Sequence, residues 1–220
     1  MLNTSLGPRV GGLRLADIAD GDRLDELKFD IAIGRGEDAE QHDPAVLGAE
    51  LAAVVGAARA DDPTPPGYLA HVRDMGFRPL VGYLTGAMDL VFRAEVGGSR
   101  KWFVADYKTN TLGPRVDGRV VRSSIAHYSR PWMAAEIARK HYYIQYVIYL
   151  TALHRYLSLR QKGYSYDTDV GGAVYLFVRG MEGPDGPKGP DGTPHGVFVD
   201  KPPLAMIEGL SQLLGRVVKI

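Results

Sequence analysis

The chain of 220 residues is expected to fold as an α/β protein, a mixed sheet flanked by helices. Three observations predict this. Apolar and polar residues alternate at 25–33, the period of a half-buried strand, while 78–96 is rich in strand formers with interior glycines and 101–109 reads as its return strand. Residues 131–162 contain no internal proline or glycine, and their apolar positions recur at helical spacing. Strands and helices mix without a regular βαβ repeat, which favours a mixed sheet over a purely parallel one.

The elements follow in order. "LGPRVGGLRLADI" (6–18) begins as a loop and passes into a short element. "DELKFDIAI" (25–33) sets Leu27, Phe29, Ile31 and Ile33 against polar residues, so it is a strand with one buried face. A polar loop covers 34–43. Residues 43–60 read as a helix with Asp43 as N-cap and Pro44 at the first helical position. "DDPTPPG" (61–67) breaks the chain, and a short helix runs to about residue 75. The runs 78–96 and 101–109 form a β-hairpin across "GGSR". Residues 113–130 are polar and irregular. One long helix, or two in sequence, occupies 131–162. "GGAVYLFVRGM" (171–181) is a buried strand. Residues 183–196 carry glycine at 183, 186, 189 and 192, a period of three far too short for collagen, and are expected to be a flexible loop. "VFVD" returns as a strand, and 203–218 form a last helix.

Composition excludes several classes. With no cysteine, no disulfide framework or thiolate metal site can be built, which is compatible with the expected cytoplasmic location. No apolar run approaches the roughly 20 residues that span a bilayer, and no signal peptide is visible. No G-x-x-x-x-G-K-[ST] occurs, so no ATP site of that kind is expected, and no G-x-S-x-G is present. Net charge is zero, but residues 1–62 hold 6 Lys/Arg against 13 Asp/Glu, and residues 63–220 hold 20 against 13. An acidic front and a basic remainder suit a second part that faces an anion, or simply a dipolar surface. Residues 130–162 carry six Lys/Arg against the single acid Glu136, a surface suited to phosphate contacts or to plain solvation.

The chemistry gathers in "VADYKTN" (104–110). On an extended strand Trp102, Val104, Asp106 and Lys108 share one face, while Phe103, Ala105, Tyr107 and Thr109 share the other. One face thus begins apolar and ends charged. On the other arm of the hairpin Thr85, Ala87, Asp89 and Val91 share a face, so pairing could set Asp89 beside Asp106. Two neighbouring carboxylates repel unless a cation joins them. A hard divalent ion such as magnesium favours carboxylate, water and phosphate oxygens and lowers the pKa of a bound water. Lys108 could steady developing negative charge. For a bare D-x-K, a surface ion pair of Asp106 with Lys108 or Arg93 is the commoner arrangement.

The ordered set Gly86-Ala87-Met88-Asp89, Asp106-Tyr107-Lys108-Thr109-Asn110 and Gln145-Tyr146-Val147-Ile148-Tyr149, with "LHRYL" and "YLFVRG" after it, resembles the C-terminal nuclease domain of RecB, the beta subunit of exodeoxyribonuclease V. The likeness covers roughly residues 10–200. It implies the PD-(D/E)XK nuclease fold and a magnesium-dependent DNA exonuclease or endonuclease acting in double-strand break repair and recombination. It implies Asp89 and Asp106 as metal-binding acids, Lys108 as the catalytic lysine, and the Tyr107 carbonyl as a further metal contact. Gln145 and Tyr149, four apart on one helical face, would line the site or hold DNA. RecC- and RecD-like subunits are the implied protein partners, with no membrane.

The sequence also departs from the family. A G-x-x-x-H helix with a metal-binding histidine is expected upstream of the first strand. This chain begins after it, so it reads as a single nuclease domain, a fragment of a larger subunit, lacking the N-terminal helix. "GYLAH" at 67–71 lies in the wrong place, and His71 is read as a chance match. Tyr143 stands where an acidic residue is usual. Glu26 reads as a strand-end surface residue rather than a contact to a metal or a basic side chain. Two alternatives stay open: a catalytically weak or inactive nuclease-like module for DNA guiding and subunit docking, and a sugar-phosphate or nucleotide hydrolase using the same metal chemistry.

Overall fold

The computed structural model describes residues 1–33, 44–56, 63–75 and 82–215. The loop expected at 34–43, its Asp43 cap, and the ends of the runs expected at 57–62, 78–81 and 216–218 lie outside the described residues. The strands are β1 (Arg23–Ile33), β2 (Gly82–Val96), β3 (Ser99–Lys108), β4 (Arg115–Val116), β5 (Arg119–Val120), β6 (Val170–Phe177) and β7 (Val197–Asp200). The helices are α1 (Pro44–Val55), α2 (Tyr68–Arg73), α3 (Arg130–Arg139), α4 (Tyr142–Arg160), α5 (Tyr166–Asp169) and α6 (Leu204–Leu213).

Five strands form one sheet in the order β1-β2-β3-β6-β7. β2 and β3 pair antiparallel, β3 and β6 parallel, and β6 and β7 antiparallel. The sheet is therefore mixed, and with its helices it has the α/β architecture that the PD-(D/E)XK resemblance implies. The expected hairpin is present, turning on Gly97 and Gly98, both at positive φ. β3 is an inner strand, and Asp106 and Lys108 at its charged end are buried while Tyr107 on the other face is half-buried.

The chain forms two compact units. The first comprises Met1–Leu27, Met88–Tyr142 and Ser165–Lys201. Its core gathers Leu90, Phe92, Phe103, Ala105, Val174 and Leu176 with Leu6, Val10 and Leu15 of the N-terminal segment. Phe92 and Phe103 stack at 5.3 Å across the hairpin. The stretch 6–18 supplies these contacts as 3-10 turns (Pro8–Val10, Leu15–Asp17), which is why it alternates glycine with apolar residues.

The second unit comprises Lys28–Ala87, Tyr143–Tyr164 and Pro202–Ile220. Here α1 packs on α2 and α6. Tyr143 is fully buried against Tyr68 and Tyr146, and its hydroxyl donates to the carbonyl of Pro63 at 2.5 Å. Along β1, Ile31 is buried while Lys28 and Asp30 are exposed, the alternation the sequence shows.

The stretch 131–162 is two helices. His141, at φ 57°, takes the left-handed conformation that ends α3, and α4 starts at the next residue. Residues 113–130, expected to be irregular, hold the small ribbon β4–β5. Asp117 and Gly118 both have positive φ, which makes a type I′ turn. The loop 183–196 carries a bridge between Lys188 and Pro194, and both Asp191 carboxylate oxygens accept from Thr193 at 3.0 Å.

Candidate active site

The hairpin register pairs Leu90 with Ala105. One step further along the same register, Asp89 stands opposite Asp106. The ladder does not continue through backbone atoms there. Instead the Tyr107 amide donates to Asp89 Oδ2 at 2.9 Å. The Asp89 side chain thus replaces a ladder carbonyl and fixes its own carboxylate beside β3. Along β2, Tyr83, Thr85 and Ala87 are exposed, Met88 and Leu90 are buried, and Asp89 is half-buried.

Asp106 and Lys108 lie two apart on β3 and share a face, as the pleat requires. Lys108 Nζ is 2.5 Å from Asp106 Oδ2, and the two side chains are 10% and 5% exposed. Taking both ions out of water costs several kcal/mol each, in order of magnitude. Two aromatic rings offset part of this for the ammonium. Nζ lies 3.9 Å from the ring centroid of Tyr142 and 5.0 Å from that of Tyr175. Desolvated cation–π contacts contribute about 2 kcal/mol or more. Tyr175 reaches this place because β6 pairs in parallel with β3 and sets it opposite Asp106.

The Asp106 carboxyl is raised above the usual aspartate range, first by burial. Lys108 pulls it down through contact and charge, and the charge of Asp89 pushes it up again. Apart from the Lys108 ammonium, the buried Oδ2 of Asp106 has no hydrogen-bond partner. Two carboxylates close enough to feel each other, one balanced only by a lysine that can move aside, are hard oxygen donors suited to a divalent cation. Among the described residues no group of three His, Cys, Asp or Glu side chains gathers into a metal-binding set.

Immediately after β3, Asn110 is clamped. Its Nδ2 donates to Glu136 Oε1 at 3.0 Å, its Oδ1 accepts from the Tyr142 hydroxyl at 3.4 Å, and its carbonyl accepts from the Tyr128 hydroxyl at 3.2 Å. Glu136 is buried, and Arg139 and Arg115 neutralise it at 2.5 and 3.4 Å. It is therefore an internal anchor, not the surface acid that its place in a basic stretch suggests.

Gln145 and Tyr149 belong to the second unit. On α4 the Gln145 amide donates to the Tyr149 hydroxyl at 2.9 Å, so the four-residue spacing does bring them together. The Tyr149 ring meets Phe29 edge-on at 5.8 Å. His71 is an exposed residue of α2. Glu26 is exposed on β1 with φ 51°.

No family model matches the chain. Curated relatives do. RecB of the RecBCD enzyme from Mycobacterium tuberculosis is 36% identical over 219 residues, covering 98% of this chain and 19% of the relative. RecB of Mycolicibacterium smegmatis is 37% identical over 223 residues, covering 97% and 19%. RecB of Haemophilus influenzae is 33% identical over 199 residues, covering 90% and 13%. The chain belongs to the RecB family. It spans a fifth or less of the length of these RecB subunits. Coverage of 98% puts Asp89, Asp106, Lys108, Gln145 and Tyr149 all inside the segment shared with mycobacterial RecB.

Within this RecB segment, sequence reasoning missed Tyr142, Tyr175 and Glu136. A tyrosine in the otherwise aliphatic run "GGAVYLF" is a signal, since a buried strand gains nothing from a hydroxyl unless its ring or its oxygen has a partner. The ribbon 115–120 was signalled by "VDGR", the Asp-Gly pair of a type I′ hairpin.

Proposed function

We propose that this chain is the nuclease segment of a RecB-type subunit and hydrolyses DNA phosphodiesters with a divalent metal, magnesium foremost. The observation that carries the reading is Asp89, from the middle of β2, reaching the end of β3 where Asp106 and Lys108 pair. The RecB relationship supports DNA repair and recombination as the setting. By the same relationship the assembly is of RecBCD type, with RecC- and RecD-like subunits as partners. Among the described residues no helix is long and apolar enough to cross a membrane.

Asp89 and Asp106 would hold the metal, with the Tyr107 carbonyl as a third contact. A bound dication supplies charge neutralisation at the phosphoryl group and eases deprotonation of water. Lys108 does the rest from its aromatic seat. It neutralises Asp106 while no substrate is bound, and it presents an ammonium to the negative charge that grows on phosphate oxygens. The rings of Tyr142 and Tyr175 limit where that ammonium can go. Gln145 and Tyr149 would position the strand.

The test is cleavage of linear DNA by the chain with and without magnesium, beside Asp106→Ala and Lys108→Ala. Cleavage that requires both the metal and the two side chains is expected. Wild type and variants that are equally inert, or equally active, would defeat the catalytic reading and favour a DNA-guiding module.

A further inference from the structure

We propose that Asn110 is a positioning residue of the site. Its side-chain amide fixes the hydroxyl of Tyr142, and with it the ring on which the Lys108 ammonium rests, while Glu136 sets the direction of the amide. That this serves catalysis rests on the nuclease reading above. The placement rests on contacts within the first unit, independent of any reaction.

Asn110 lies just beyond Lys108, where β3 has ended. The backbone here is held without the asparagine side chain. Arg179 Nε donates to the Thr109 carbonyl at 2.9 Å, and the Tyr128 hydroxyl donates to the Asn110 carbonyl at 3.2 Å. The side-chain amide is therefore not needed to fasten the loop. It spans instead between α3 and the first residue of α4. Asn110 Nδ2 donates to Glu136 Oε1 at 3.0 Å, and Oδ1 accepts from the Tyr142 hydroxyl at 3.4 Å. A carboxylate paired with arginines only accepts, so Glu136 obliges the NH2 group to face it and turns the amide oxygen toward Tyr142. Glu136 is itself immobile, buried and paired with Arg139 at 2.5 Å and Arg115 at 3.4 Å.

Tyr142 needs such a hold. It follows His141, whose φ of 57° separates α3 from α4, and so it stands in a first helical turn with no preceding turn to bond to. Its ring is the nearer of the two beside Lys108, with Nζ 3.9 Å from its centroid against 5.0 Å for Tyr175, and the two rings meet at a tilt, 5.7 Å apart. An ammonium is attracted only while it lies over the face of a ring. A Tyr142 ring free to swing loses that face, and the lysine then leans further on Asp106, already 2.5 Å away. An ammonium drawn in toward Asp106 is withdrawn from the phosphate oxygens it is placed to meet. Asparagine suits the post because one short side chain gives a donor to the acid and an acceptor to the hydroxyl. Aspartate would set a second carboxylate against Glu136.

The test begins without metal or DNA. A ring face so close shifts the ε-methylene protons of Lys108 upfield in NMR spectra of lysine-labelled chain, a signal assigned by its loss in Lys108→Arg. Asn110→Ala and Tyr142→Phe, which keeps the ring and drops only its hydroxyl, should each move that signal toward the ordinary lysine position. Tyr128→Phe loosens the same loop but leaves the amide alone, and should not move it. With magnesium and linear DNA, Asn110→Ala and Tyr142→Phe should each lower kcat about tenfold at unchanged KM. Acting through one contact, the two together should lose no more than either alone. A Lys108 signal unmoved in Asn110→Ala or Tyr142→Phe, an equal shift in Tyr128→Phe, or losses that multiply in the double variant overturns the inference. A signal that moves as expected in a chain whose wild type does not cleave overturns the nuclease reading instead, and leaves the positioning of Lys108 standing.

Discussion

The amide of Tyr107 donates to the carboxylate of Asp89 across 2.9 Å, so the β2 side chain that anchors the end of β3 is also one of the two acids of the proposed metal site. Structure and chemistry therefore make different demands on one residue, and they can be separated. Asp89→Asn keeps a side-chain oxygen for the Tyr107 amide and removes the charge. Asp89→Ala removes both. Urea unfolding is expected to place Asp89→Asn near wild type and Asp89→Ala about 1–2 kcal/mol lower, the cost of stranding a half-buried donor. Both should lose metal-dependent cleavage. Equal stability of the two variants would show that the hydrogen bond contributes nothing.

The Asp106–Lys108 pair makes a sharper test, because both ions are buried. Lys108→Met leaves a carboxylate in a site that already disfavours its charge, and should cost about 3 kcal/mol or more. Adding Asp106→Asn removes the stranded charge, so the double variant should be more stable than Lys108→Met alone. A double-mutant cycle by chemical denaturation measures this coupling. Additive losses would mean that the two groups are solvated separately.

In the second unit, His154 is half-buried and in hydrogen-bond contact with the Tyr164 hydroxyl at 3.0 Å. Burial lowers its pKa first, Arg155 lowers it further, and Glu208 opposes. The folded state then binds fewer protons than the unfolded state, whose histidine titrates near 6.5. The stability this contributes is complete above about pH 6.5 and is lost as pH falls through the lower folded value. Thermal melts from pH 7.5 to 5 should show wild type losing stability faster than His154→Gln. Parallel curves would refute the assignment.

The two arms of the hairpin were legible because strand alternation and the Gly97-Gly98 turn are local, and together they determine that Asp89 faces Asp106. The ordered motifs then led to the metal-site reading proposed for that meeting. The seat of Lys108 was not legible. It depends on Tyr175, some 67 positions away, and on a parallel pairing with β6 whose register no local pattern records. Glu136 misled for a similar reason. Its burial is compensated by Arg115, Arg139 and Asn110, which come from three places in the chain, so counting charges along one helix could only read it as solvated.

Gly86 opens the motif that ends in Asp89, and its reason is steric rather than conformational. A Cβ there would lie 2.6 Å from Cζ and 2.8 Å from Cε1 of Phe29. Phe29 in turn meets the Tyr149 ring edge-on, and Tyr149 accepts from Gln145. The glycine therefore sets the position of a residue three links down this series, all within the second unit. Gly86→Ala should push Phe29 off its rotamer and cost about 1–3 kcal/mol, as overpacking does. The shift should appear at Tyr149 in aromatic NMR spectra. Phe29→Leu made in the same chain frees the space, so the double variant should recover part of the loss and restore the Tyr149 signal. A Gly86→Ala chain of wild-type stability with unmoved Phe29 and Tyr149 resonances would sink this account of the motif glycine.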